Sequence, residues 1–342
     1  MRGKKELFML TTGFVLFMFD LVTDIVVATC IMAAEQTVAI NNLQYCRLAF
    51  TCSSIFVRYV QEFKDWKQTH WDNPPCGDNY KKCNCPNCEQ YRAAIMKSNR
   101  SAYKLAWVRY VETLTESTPQ WCLQMYIMLR QWDFPWLTVL SAVISLLSLA
   151  WSMTALEKAR VHKNRHNFTL PATVVFFTSQ LFSLLSRLFA IVAFAYVFKE
   201  HVFTALAVHW LIVHVVSWLK IDLDFEGKCD AVKLFFGYSI FSCRLILHVP
   251  NRLTKEVSIP RTFYFVLYSI ISVENVLLAI LVVTIPIPDV KHMSVLRPIV
   301  LSLVIIGVVL GTIFLMVYNK HLKPTEERRE EPTEEPTEEP VV

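Results

Sequence analysis

Asp20, Thr23 and Asp24 fall close together inside one apolar run, with the two acids four residues apart. On a helix, positions four apart share a face. A second set is Glu112, Glu116, Gln120 and Gln124, each four residues after the last, with Arg109 ahead of them and Pro119 within. Arg187 follows Ser179, Gln180 and Ser183, and Glu274 and Asn275 are adjacent in a later apolar run. An ionisable group at the centre of a bilayer costs roughly 2.5–3.5 kcal/mol on insertion scales. Such residues must pair, face water, or act on something. For Asp20 and Asp24 two readings stand: a buried pair with arginine partners, or the lining of a hydrophilic path. For the stripe from Glu112 to Gln124 they are a polar-glued helix interface and a groove or re-entrant element. Pro119 should kink or break its helix, because it removes a hydrogen bond and crowds the preceding turn.

Five acids (Asp20, Asp24, Glu112, Glu116, Glu274) and five arginines (Arg47, Arg58, Arg109, Arg187, Arg244) fall in apolar stretches. The near balance favours internal ion pairing without saying which acid meets which base. His209 and His214 lie on one such stretch, as interhelical hydrogen bonders or, less simply, as a proton relay. No nucleophile with its base, phosphate loop or zinc-protease motif occurs, so an enzyme is not expected.

Cys76, Cys83, Cys85 and Cys88 form a different kind of cluster, spaced C-x6-C-x-C-x2-C. A CxxC turn brings two sulfurs to one metal, and four thiolates suit tetrahedral zinc. Only Cys85–Cys88 is a true CxxC. Structural zinc, reversible acylation beside a membrane and plain reduced thiols all remain open. No other cofactor is implied.

The elements that must hold these residues are helices in a membrane. Of 342 residues, 54% are hydrophobic and only 18% charged. Soluble domains carry about 25% charged residues. Mean hydropathy is +0.36. A spanning helix needs about 20 mostly apolar residues, and eight stretches qualify: 7–34, 37–63, 105–129, 134–156, 170–198, 202–219, 263–285 and 296–318. The second and third are weakened by polar residues. Residues 231–249 are apolar but hold Arg244 and end at Pro250, so they read as a partly inserted or interfacial helix. The first run is too long for a signal peptide and carries two acids, so it reads as a retained span.

Basic residues cluster in alternate loops. Arg2, Lys4 and Lys5 lie on one side with the loops after spans two, four and six and the C-terminus; Arg130, Lys199, Lys291 and Arg297 lie on the other. The positive-inside rule then puts both termini in the cytosol with an even number of spans. It also explains the net charge of +5 without nucleic acid. On this reading residues 1–323 form a transmembrane domain, with the cysteines in a cytosolic loop at 64–104 that keeps thiols reduced. Two sequons, at Asn99 and Asn167, should stay unglycosylated. Residues 324–342 form an acidic, proline-rich tail expected to be disordered.

Several of these residues sit in motifs that resemble the XK-related family, which includes phospholipid scramblases. Phe19-Asp20-Leu21-Val22-Thr23-Asp24 is similar to the family's L-D-x-x-T-D. Glu112-Thr113-Leu114-Thr115-Glu116-Ser117-Thr118-Pro119-Gln120 is similar to E-T-x-x-E-T-x-P-Q, with Ser117 for the usual Thr. Ser186-Arg187-Leu188-Phe189-Ala190, Glu274-Asn275-Val276-Leu277-Leu278 and Tyr318 to Pro324 resemble three later segments. The match runs from about residue 7 to 324.

The resemblance implies an all-α polytopic bundle of about eight transmembrane helices plus partly inserted ones, in two related halves. It implies ATP-independent scrambling of phospholipids between leaflets, with phosphatidylserine exposure at the plasma membrane. The hydrophilic path would use Asp20, Thr23, Asp24, Glu112, Glu116, Gln120, Gln124, Arg187, Glu274 and Asn275. Some members are switched on in apoptosis by caspases, which cut after Asp. No Asp precedes Asp20 or follows Asp289, so tail cleavage is not expected. The four-cysteine loop is not part of the family pattern. Two other functions compete. One is a non-transporting partner of a single-span membrane protein or of a lipid-transfer protein. The other is a solute or proton-coupled transporter.

Overall fold

The computed structural model describes residues 75–77, 83–163, 168–220, 261–285 and 293–323, with Thr11, Thr12, Val15, Val60, Phe63 and Lys64 besides. Asp20, Thr23, Asp24, Arg47, Arg58, the stretch 231–249 and the acidic tail lie outside these residues, as do nearly all of the first two predicted spans. Every described element is helical, with no strand among the described residues. Helix α1 is Pro86–Glu112, α2 Thr118–Gln131, α3 Trp136–Lys163, α4 Leu170–Phe198, α5 His201–Lys220, α6 Arg261–Thr284 and α7 Met293–Val317.

Helix α1 begins well before the predicted third span, inside the predicted loop. Its first half is polar, so hydropathy is blind to it. Pro86 at the first turn starts it, where a missing N–H costs nothing. Asn99 Nδ2 donates to the His162 carbonyl at 3.3 Å, fastening α1 to the end of α3.

Pro119 does not break the helix. Residues Thr113–Ser117 form a π turn between α1 and α2. The Thr118 N–H reaches back to the Thr113 carbonyl, and the Thr118 hydroxyl donates to it as well, at 3.0 Å. The wider turn accommodates the missing proline donor and makes room for its ring. Trp132, with φ of 54°, closes α2 in the left-handed region.

Among the described residues, four helical stretches are long and apolar enough to cross a membrane: Trp136–Lys163, Leu170–Phe198, Phe265–Thr284 and Met293–Leu322. Helix α5 holds a shorter apolar stretch, His201–Val216. The four long stretches match predicted spans four, five, seven and eight, and predicted span six coincides with the shorter α5. The third, polar one falls short of that apolar standard, although it is helical throughout. The molecule is therefore a multi-pass, all-helical membrane protein.

Helix α4 is the axis of the described bundle. It packs most extensively against α7, and also against α3, α6, α2 and α5. The outward faces of α5, α6 and α7 are apolar, with Phe203, Phe265, Val273, Ile306 and Met316 exposed. His209, His214 and Asn275 on these helices are buried instead. The α4–α7 contact is close because small residues meet there. A Cβ on Gly307 would lie 2.7 Å from Ser186 Cβ and 2.9 Å from the Phe182 carbonyl oxygen. Ser186 Oγ donates to the Val304 carbonyl at 3.1 Å, and Ser179 Oγ to the Gly311 carbonyl at 2.8 Å. Without a hydrophobic drive between helices in lipid, such backbone approach and hydrogen bonding hold them together.

Candidate functional site

The most deeply buried charged group among the described residues is Arg187, on α4 and only 1% exposed. Its Nη1 donates to Asn275 Oδ1 at 2.9 Å and lies 3.0 Å from Glu274 Oε2, both on α6. His209, buried on α5, meets the same carboxylate through Nδ1. Three helices thus converge on Glu274, which balances the arginine charge. Leaving a buried ion without its partner costs about 3–5 kcal/mol, so this network fixes α4, α5 and α6 relative to one another. Nearby, Ser179, Gln180, Ser183, Tyr268, Asn275 and Thr312 line a cavity of about 20 Å³ between α4, α6 and α7. That volume suits a water molecule, not a lipid headgroup.

A second polar group joins α1 to α3. Arg109 Nη1 lies 2.5 Å from Glu112 Oε2, and its Nη2 donates to Ser148 Oγ at 3.1 Å. Thr113 Oγ1 meets Ser152 Oγ at 2.9 Å. Ser141, Ser145, Ser148 and Ser152 are all buried and lie at helical spacing along α3. Glu116 falls within the π turn, but its side chain is not among those described. Gln120 is half-buried on α2. Gln124 is buried, and its Oε1 has no hydrogen-bond partner among the described residues.

The third group was missed by sequence reasoning. Glu157 accepts from the Tyr318 hydroxyl at 3.1 Å and pairs with Arg160 at 2.7 Å. Tyr318 is fully buried against Phe176 and Phe168. It starts a second π turn, Tyr318–Leu322. Glu157 lies one residue beyond the predicted end of span four, so it was not counted among the membrane acids. The serine spacing on α3 was the signal that polar helix contacts would form there.

The structure thus unites Arg187, Glu274 and Asn275 in one network and puts Glu112 in another. It answers two of the open pairing questions: Arg109 is matched by Glu112, and Arg187 by Glu274.

These networks carry the motif segments read from the sequence, and both π turns fall within such segments. A family model described as XK-related protein matches residues 7–324. The chain belongs to the XK-related family. One curated relative, XK-related protein 9 from Tetraodon nigroviridis, is 26% identical over 284 residues, covering 80% of this chain and 68% of that one. Within the family match, Arg187 with Glu274, and Arg109 with Glu112 and Ser148, make polar contacts within and between helices.

The cysteines form the remaining chemistry. The Sγ atoms of Cys76, Cys83, Cys85 and Cys88 all lie within 4.8 Å of one another. Cys76 Sγ is 3.6 Å from Cys83 Sγ and 3.8 Å from Cys85 Sγ. Cys85 is the N-cap of α1, and Cys88 is buried. The Cys85 thiol is lowered to about 7, first by the backbone N–H of Cys88 and then by neighbouring thiols. The Cys88 thiol is pushed up to about 12, first by desolvation and then by hydrogen bonding with the other three.

Proposed function

We propose that this protein scrambles phospholipids between leaflets without ATP, along a hydrophilic path inside its helical bundle. The observation that carries the reading is the Arg187–Glu274–His209–Asn275 network, a charged group held among helices whose outer faces are apolar. Unaided lipid flipping is slow mainly because the headgroup must lose its water, and desolvating an ion without a partner is very costly. Side chains of both signs along a groove would replace that water. Membership of the XK-related family supports the same function.

Headgroups would follow Asp20, Thr23 and Asp24, then Glu112, Glu116, Gln120 and Gln124, and then Arg187, Glu274 and Asn275. The water-sized cavity beside Asn275 corresponds to a closed conformation. Opening would shift α6 or α7 away from α4. The full protein would have eight crossings, both termini in the cytosol and a place in the plasma membrane, where its activity exposes phosphatidylserine.

The His209–Glu274 contact also favours a second reading, proton-coupled transport, because both groups can carry a proton. Reconstitution into liposomes holding a fluorescent lipid separates the two. With dithionite outside, scrambling carries bleaching past half of the signal. Asp24→Ala and Glu116→Ala should slow it while leaving elution unchanged. Bleaching that stops at half, with a proton flux in the same vesicles, would instead assign transport.

A further inference from the structure

We infer that Cys76, Cys83, Cys85 and Cys88 form a tetrahedral zinc site at the start of α1. In a four-thiolate zinc centre the Zn–S bonds are about 2.3 Å, which places the sulfurs about 3.8 Å apart. Cys76 Sγ stands 3.6 Å from Cys83 Sγ and 3.8 Å from Cys85 Sγ, and all four sulfurs fit within 4.8 Å. A disulfide needs its sulfurs at about 2.05 Å, and lone thiols have no reason to gather four at a time.

The backbone around the cluster is shaped to hold it. Gly77 adopts φ of +56°, a left-handed turn directly after the first cysteine. Cys85 and Cys88 occupy the N-cap and third helical position of α1, within one turn of the helix start. The partial positive charge at a helix N-terminus favours thiolates. Arg92, one turn further along, donates from Nη1 to the Cys83 carbonyl at 2.5 Å. It ties the loop to the helix and sets a positive charge beside the site. Four thiolates and one Zn²⁺ leave two negative charges, and Lys81, Lys82 and Arg92 stand next to them in the sequence or the fold.

Binding converts four thiols and Zn²⁺ into a zinc tetrathiolate with release of four protons, and nothing is oxidised or reduced. The site closes the loop onto α1, whose far end holds Arg109 and Glu112. The metal therefore acts as a staple for the helix that leads into the polar interior. All four positions are filled by protein, as in structural rather than catalytic zinc sites.

The test uses the full chain, purified in detergent without chelator or metal-affinity resin. Metal analysis should find about one zinc per chain, and Cys83→Ser and Cys85→Ser should each lose it. Cobalt(II) exchanged into the wild type should give the visible bands of tetrahedral thiolate cobalt, a readout that needs no variant to fold. Arg92→Gln should weaken zinc binding roughly 10–100-fold, the usual effect of losing an outer-shell partner. Wild-type protein with negligible zinc and no cobalt bands would overturn the inference. So would thiols found acylated or disulfide-bonded by intact mass.

Discussion

The interior network and the cysteine loop pose the same problem in two settings. Each gathers groups that are costly to hold together. In the interior, opposite charges settle the matter: Arg187 meets Glu274 and Asn275, and His209 closes the same carboxylate. In the loop all four groups are of one kind, and their sulfurs converge with no counter-charge among them. The first arrangement is complete with protein alone. The second becomes favourable when a cation enters. The lesson is that balanced charge supports helix packing in lipid, whereas unbalanced convergence signals a ligand.

Breaking the interior side of that comparison should have the largest effect. Arg187→Ala removes the guanidinium that balances Glu274, leaving it only the His209 contact, and should cost about 3–5 kcal/mol of stability, read as a fall in the unfolding midpoint in detergent. Removing both charges, with Arg187→Met and Glu274→Leu, should recover most of the loss. If the double variant is as unstable as the single, charge balance is not what holds α4 to α6.

Gly307→Val comes next. It forces a side chain toward Ser186 and the Phe182 carbonyl and should cost roughly 1–3 kcal/mol, the usual range for overpacking. Stability equal to the wild type would show that α4 and α7 have room to separate. On the loop side, Gly77→Ala should be milder for the bundle. The left-handed backbone there costs other residues about 1–2 kcal/mol. That cost should appear as weaker zinc binding, with the unfolding midpoint of the metal-free protein nearly unchanged. A drop in the midpoint without a change in zinc affinity would mean that the loop supports the fold by itself.

How far the sequence speaks depends on the region. The limits of α4 were readable because Thr169 and Pro171 mark its start and the apolar run continues to Phe198. The start of α1 was not, since Pro86–Lys104 is polar and shows no membrane-length pattern. Pro119 was recognised as a disturbance, but the π turn that absorbs it depends on the Thr118 hydroxyl and on Ser152 of another helix meeting Thr113. The acids and arginines were all identifiable by type. Their pairing was not, because Arg187 and Asn275 are 88 residues apart and only packing brings them together. The cysteine spacing announced a metal site without deciding for it. The helix cap that brings Cys85 and Cys88 over the same turn is a three-dimensional fact.

The central claim is that the charged network around Glu274 lies on the route of lipid headgroups. Its most direct test compares wild type with Glu274→Gln in liposomes carrying a fluorescent lipid, with dithionite outside and elution profiles confirming folding. The account predicts bleaching beyond half of the signal for the wild type and a clearly slower second phase for Glu274→Gln. Bleaching that stops at half for the wild type, or equal rates for the two, would contradict it.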